Sequence, residues 1–104
     1  MSIYILESEK IKSMIDNNEF DLIIDIRNEE YYLNGHLPKA INIPMNEIND
    51  EMDFLADYKD KKILLYCGIG SQSKATCKVL SINGFNKLYS LFGGIKGYKY
   101  ELEK

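Results

Sequence analysis

The chain has 104 residues, enough for one ordinary domain with a single core and no disulfides. With 45% hydrophobic and 28% charged residues it has the composition of a globular protein, neither disordered nor membrane-embedded. A net charge of −3, a pI near 5.1 and no basic cluster beyond Lys59-Asp60-Lys61-Lys62 give no electrostatic footprint for nucleic acid.

The apolar pattern switches repeatedly between short runs suited to strands and stretches of helical period, which predicts an α/β sheet. Ile3-Tyr4-Ile5 reads as a first strand. Ser8 is placed to cap a helix with Ile11, Met14 and Ile15 on one face, ending near Asn17-Asn18. Leu22-Ile23-Ile24-Asp25-Ile26 is almost continuously apolar, as expected of a central strand covered on both faces. Asn28 to Leu33 predicts a short helix stopped by Asn34-Gly35, and Ala40 to Ile43 a brief strand. Pro44 suits the first turn of another short helix, to about Ile48. Lys62 to Tyr66 is a second buried strand, Gln72 to Asn83 a helix closed by Gly84, and Leu88 to Leu91 a last strand. Beyond Gly93-Gly94, a terminal helix is expected to contain Ile95 and Tyr98. Neither a repeat nor a linker interrupts this series, so residues 1–104 are expected to form one domain. The N-terminal segment turns acidic after four apolar residues, unlike a signal peptide, and no run reaches membrane-spanning length, so the expected compartment is the cytoplasm.

Chemistry concentrates at Cys67, directly after one strand and before Gly68-Ile69-Gly70-Ser71-Gln72-Ser73. A strand end fixes the sulfur, glycines let the backbone curl round it, and helix N-terminal N–H groups aim at negative charge. Such surroundings favour the thiolate, which is the nucleophilic form of a cysteine. Ligands of parallel α/β sheets bind beyond the carboxyl ends of strands, where both Cys67 and Asp25-Ile26-Arg27 lie. Strand order, and so their adjacency, is not readable from sequence. Two separated cysteines and one histidine lack the spacing of a disulfide framework or a metal site, so no metal or cofactor is expected.

Three blocks in order resemble the rhodanese family of sulfurtransferases, in its single-domain form. Asp25-Ile26-Arg27 with Gly35-His36-Leu37-Pro38-Lys39-Ala40 and Asn42-Ile43-Pro44 is similar to the first signature. Leu65-Tyr66-Cys67 with Gly70, Ser73, Leu80 and Gly84-Phe85 is similar to the active-site block, and Leu91-Phe92-Gly93-Gly94-Ile95 to the closing block. The resemblance implies a three-layer α/β/α fold around a mostly parallel five-stranded sheet. It also implies a Cys67 persulfide that takes a sulfane sulfur from a thiosulfate-type or persulfide donor and delivers it to a thiophilic acceptor. The loop from Gly68 through Ile69, Gly70, Ser71 and Gln72 to Ser73 would then hold the bound sulfur and the donor's anionic head. Its partners would be a small sulfur-containing anion or a protein or low-molecular-weight persulfide, and the domain would suffice as a monomer.

Several positions depart from that pattern. Gln72 stands where many members carry an arginine, which weakens thiosulfate capture; Lys74 is a candidate substitute as a point charge. Tyr31 and Tyr98 read as packing variants. His36 reads as structural, Arg27 as scaffolding paired with Asp25 in support of the site, and Cys77 as a buried small hydrophobe rather than a resolving thiol. Ser71 and Ser73 are candidates to cap the helix or to donate to sulfur. Two other functions compete: a phosphatase, which needs a loop one residue longer with an arginine where Ser73 stands, and a non-catalytic or redox-sensing binding module, favoured by Gln72.

Overall fold

In a computed structural model, which describes residues 2–104, five strands make one sheet in the order β1-β5-β4-β2-β3, with every neighbouring pair parallel. The strands are β1 (Ser2–Leu6), β2 (Leu22–Asp25), β3 (Ile41–Asn42), β4 (Lys62–Tyr66) and β5 (Lys87–Leu91). The helices are α1 (Ser8–Asp16), α2 (Glu29–Asn34), α3 (Met52–Leu55) and α4 (Ser71–Ile82).

Side chains alternate across the pleat, so each central strand feeds two cores. Ile24, Ile63, Leu65 and Cys67 pack with Leu55 of α3 and with Cys77 and Leu80 of α4. Ile23, Leu64 and Tyr66 pack on the other face with Ile11 and Ile15 of α1. This is the α/β/α sandwich the resemblance implies. The apolar runs of β2 and β4 are buried because both of their faces are covered. From β4 the chain crosses through α4 to β5, and from β2 through α2 to β3, so the crossovers diverge between β2 and β4. A crevice opens at such a divergence.

Several expectations change in detail. Ser8 does not cap α1; it is the first helical residue after Glu7, and its hydroxyl donates to the Gly97 carbonyl at 3.2 Å. The strand expected from Ala40 shrinks to Ile41–Asn42, because the Ala40 N–H is engaged in a turn with the Leu37 carbonyl and Pro44 follows. Pro44 precedes a 3-10 segment, Met45–Glu51, rather than an α-helix. The terminal helix is only a 3-10 turn, Ile95–Gly97. Tyr98 leaves it in extended conformation and is buried, and Glu103 forms an antiparallel bridge with His36 that draws the tail across the molecule. The short helix α3, which no apolar period in the sequence marks, seats fully buried Leu55 in the core. Among the described residues no helix is long and apolar enough to cross a membrane.

Candidate active site

β4 ends at Tyr66, and the next residue, Cys67, receives two main-chain donors: Gly70 N–H at 3.1 Å and Ser73 N–H at 3.3 Å from Sγ. The turn that brings them round depends on Gly70, which has φ +103 and caps the N-terminus of α4. The dipole of this twelve-residue helix adds to the field at the sulfur. Ser73 is fully buried, and its hydroxyl donates to the Gly70 carbonyl at 3.2 Å and pairs with Ser90 of β5 at 2.8 Å. Protonated Cys67 can itself donate to Ser73 Oγ at 3.6 Å. Ser73 therefore braces the loop and aims its N–H at the sulfur, whereas Ser71 is exposed; neither side chain caps α4.

A second loop closes over the first. Ile95 N–H donates to the Cys67 carbonyl at 2.9 Å and Lys96 N–H to the Gly68 carbonyl at 3.0 Å. Gly70 faces this loop, for a Cβ there would stand 3.1 Å from the Gly93 nitrogen. The sulfur is held by the main chain at the start of α4, and the main chain of Cys67 and Gly68 is held by Ile95 and Lys96.

An open cleft of about 940 Å³ lies at the divergence of the crossovers. Ile26, Arg27, Asn28 and Tyr31 line it after β2, and Gly68, Ile69, Ser71 and Gln72 after β4; Met45, Asn46, Ile95 and Lys96 complete the walls. The structure thus joins the two segments that the sequence offered as neighbours, with Asp25 in register with Tyr66 and Ile26 N–H donating to the Tyr66 carbonyl at 3.0 Å. Cys67 is only 1% exposed and lies beneath the cleft, whose wall nearest to it is formed by Gly68 and Ile69. Ile69 is 64% exposed at the cleft surface, and Gly68 has open space where a Cβ would stand.

Arg27 lines the cleft but is bound elsewhere. Its Nη2 donates to Asp25 Oδ2 and to the Gly35 carbonyl, each at 2.7 Å, and its Nε reaches both Asp25 oxygens. Burial opposes the charge on Arg27, but the hydrogen bonds and charge of Asp25 outweigh it and hold the guanidinium pKa above its ordinary value. Asn42 Nδ2 ties the Asp25 and Arg27 carbonyls together. Burial raises the pKa of the Tyr66 phenol, whose oxygen accepts the Leu37 N–H at 3.0 Å.

Lys74 stands on the exposed side of α4 and does not line the cleft; the lysine there is Lys96, which the sequence reading passed over. Tyr31, expected to pack, is 54% exposed on the cleft wall; Tyr98 does pack. His36 sits away from the cleft, stacked on Tyr32 with ring centroids 3.9 Å apart and Nδ1 donating to the Tyr32 carbonyl at 2.9 Å. Cys77 is fully buried, and burial pushes its thiol up to about 12.

The family model of the rhodanese-like domain matches residues 7–101. The chain is 34% identical over 108 aligned residues to the tRNA uridine(34) hydroxylase of Buchnera aphidicola subsp. Acyrthosiphon pisum, across 100% of this chain and 33% of that protein. It is 32% identical over 97 residues to the enzyme of that name from Escherichia coli, across 89% of this chain and 27% of the other. The chain spans about a third of the length of the curated relatives it matches. A rhodanese-like domain protein from Staphylococcus aureus superposes with a TM-score of 0.83 at 25% identity, covering 99% of this chain and 97% of that one. A human single-domain sulfurtransferase shares the fold, with a TM-score of 0.78 at 17% identity over 89% of this chain and 92% of its own. The chain belongs to the rhodanese-like domain family.

Proposed function

We propose that this domain is a sulfurtransferase that carries a sulfane sulfur as a persulfide of Cys67. The observation that supports it best is the convergence of the Gly70 and Ser73 N–H groups on Sγ at 3.1 and 3.3 Å. Preorganised donors stabilise negative charge on the attacking sulfur and on the sulfur it acquires, with no reorganisation during the step.

The Cys67 thiolate attacks the outer sulfur of the donor. A new S–S bond forms, the donor's own bond to that sulfur breaks, and the electron pair leaves as sulfite from thiosulfate or as a thiolate from a persulfide. An acceptor such as cyanide then takes the outer sulfur as thiocyanate and restores the thiolate. The protein's groups supply everything this cycle needs, so no cofactor enters it, and one copy of the domain suffices in a cytoplasmic setting.

The test is thiocyanate production from thiosulfate or a low-molecular-weight persulfide with cyanide as acceptor. Wild type and Cys77→Ser are expected to turn over and Cys67→Ser is not; full activity in Cys67→Ser contradicts the proposal.

The curated relatives favour a second reading, in which such a domain within a longer protein contributes Cys67 to the modification of uridine 34 in tRNA. The net charge of −3 speaks against strong phosphate binding by the domain itself. A gel shift with unmodified tRNA at physiological salt separates the readings: a specific complex supports the second, and none leaves small-molecule sulfur transfer.

A further inference from the structure

The cleft carries a charge pattern unlike that of the rest of the chain. The sequence holds 16 acidic residues, yet among the described residues no carboxylate lines the cleft, whose charged side chains are Arg27 and Lys96. Arg27 offers little free charge, because the buried Asp25 carboxylate lies 2.7 Å from its Nη2. Lys96 is exposed and has no ion-pair partner among the described residues. Its main chain is anchored on the active loop through the Gly68 carbonyl, which fixes where the ammonium stem starts. Gln72 adds no charge. Ile26, Tyr31, Met45, Ile69 and Ile95 make much of the remaining wall apolar.

A donor entering this cleft gives up water against apolar side chains and meets one uncompensated ammonium. A dianion such as thiosulfate leaves one charge unpaired there, at a desolvation cost, whereas a monoanion bearing a carbon group matches both the single cation and the walls. Building on the sulfur-transfer reading, we infer that Lys96 recognises the donor's charge and that the donor is a monoanion joined to an apolar carbon group, as in an organic thiosulfonate or persulfide. With a thiosulfonate, the Cys67 thiolate attacks the terminal sulfur, the S–S bond of the donor breaks, and a sulfinate departs with the bonding pair. No oxidant or net proton is required.

The experiment measures the rate of sulfur loading on Cys67 by quenched-flow mass spectrometry, with benzenethiosulfonate and with thiosulfate. It compares wild type, Lys96→Ala, Lys96→Arg and a control, Lys99→Ala, whose lysine lies outside the cleft. Wild type is expected to load faster from benzenethiosulfonate. Lys96→Ala should slow that loading about three- to tenfold, as expected from removing one nearby charge in partly screened surroundings. Lys96→Arg should recover most of the rate and Lys99→Ala should match wild type. A readout free of sulfur transfer is the ratio of Cys67 alkylation rates by iodoacetate and iodoacetamide, which should fall by a similar factor in Lys96→Ala. Loading as fast from thiosulfate, or a Lys96→Ala protein unchanged in both readouts, overturns the inference. If wild type loads from neither donor while the alkylation ratio still falls, the sulfur-transfer reading and the donor class fall and the electrostatic role of Lys96 stands.

Discussion

Gly94 lies against the carbonyl of Gly68 so closely that a Cβ added to it would overlap that group and stand 2.6 Å from the Ile69 nitrogen. Both contacts are with backbone, which cannot swing aside, and Gly94 also has φ +65. Gly94→Ala is therefore expected to cost roughly 2–4 kcal/mol in urea unfolding and to abolish sulfur loading by pushing the loop off Cys67. Gly68→Ala meets nothing within 4 Å and should stay within about 0.5 kcal/mol of wild type. Equal stability of the two variants would show that the loops are not locked together.

Asp25 and Arg27 form the buried ion pair at the cleft's edge, and Asp25 also accepts the Arg27 main-chain N–H at 2.9 Å. Asp25→Ala strands a guanidinium whose side chain is 14% exposed and should cost about 3–5 kcal/mol by urea denaturation. Asp25→Asn keeps an acceptor and should cost about half as much. A loss below about 1 kcal/mol for Asp25→Ala would mean that the pair does not hold the end of β2.

Cys77 gives a pH dependence with a definite sign. Its folded pKa, about 12, lies above the unfolded value of about 8.5, so at intermediate pH the unfolded chain has released a proton that the native state keeps. The contribution is fully present below about pH 8.5 and is lost progressively as pH rises toward 12. Unfolding free energy should fall over that window, and less steeply in Cys77→Ala, which removes the group. Identical slopes in the two proteins would contradict the assignment. Native Cys77 should also resist alkylation at pH 8, and its removal should leave sulfur loading intact.

Gln72 is exposed on the cleft wall at the start of α4. Gln72→Arg places a second cation there, and thiosulfate loading should rise by about an order of magnitude. The gain with a monoanionic donor should be smaller. No change in thiosulfate loading would show that donor charge is not read at this position.

The parts of this site that were legible in the sequence are those written in consecutive residues. β2 and β4 announce themselves as nearly continuous apolar runs, and Cys67 followed by Gly68 and Gly70 defines a loop that can turn N–H groups onto the sulfur. The adjacency of Arg27 and Cys67 depends on the pairing of β2 with β4, a long-range choice that no local pattern encodes. Ser90 and Lys96 were missed for the same reason, since each reaches the site through space from the far end of the chain. Lys74 was the nearer lysine in sequence, but its place on α4 turns it away from the cleft. The helical spacing of Ile95 and Tyr98 predicts a helix, but the chain makes one 3-10 turn, leaves it extended at Tyr98 and goes on to the Glu103–His36 bridge.

The most direct test of the account is intact-protein mass spectrometry of reduced wild type, Cys67→Ser and Cys77→Ser after brief exposure to an organic persulfide. The account predicts a gain of one sulfur atom in wild type and Cys77→Ser, removed by cyanide, and none in Cys67→Ser. A wild-type protein that gains no sulfur, or a Cys67→Ser protein that gains it equally, would contradict the claim that Cys67 is the sulfur carrier.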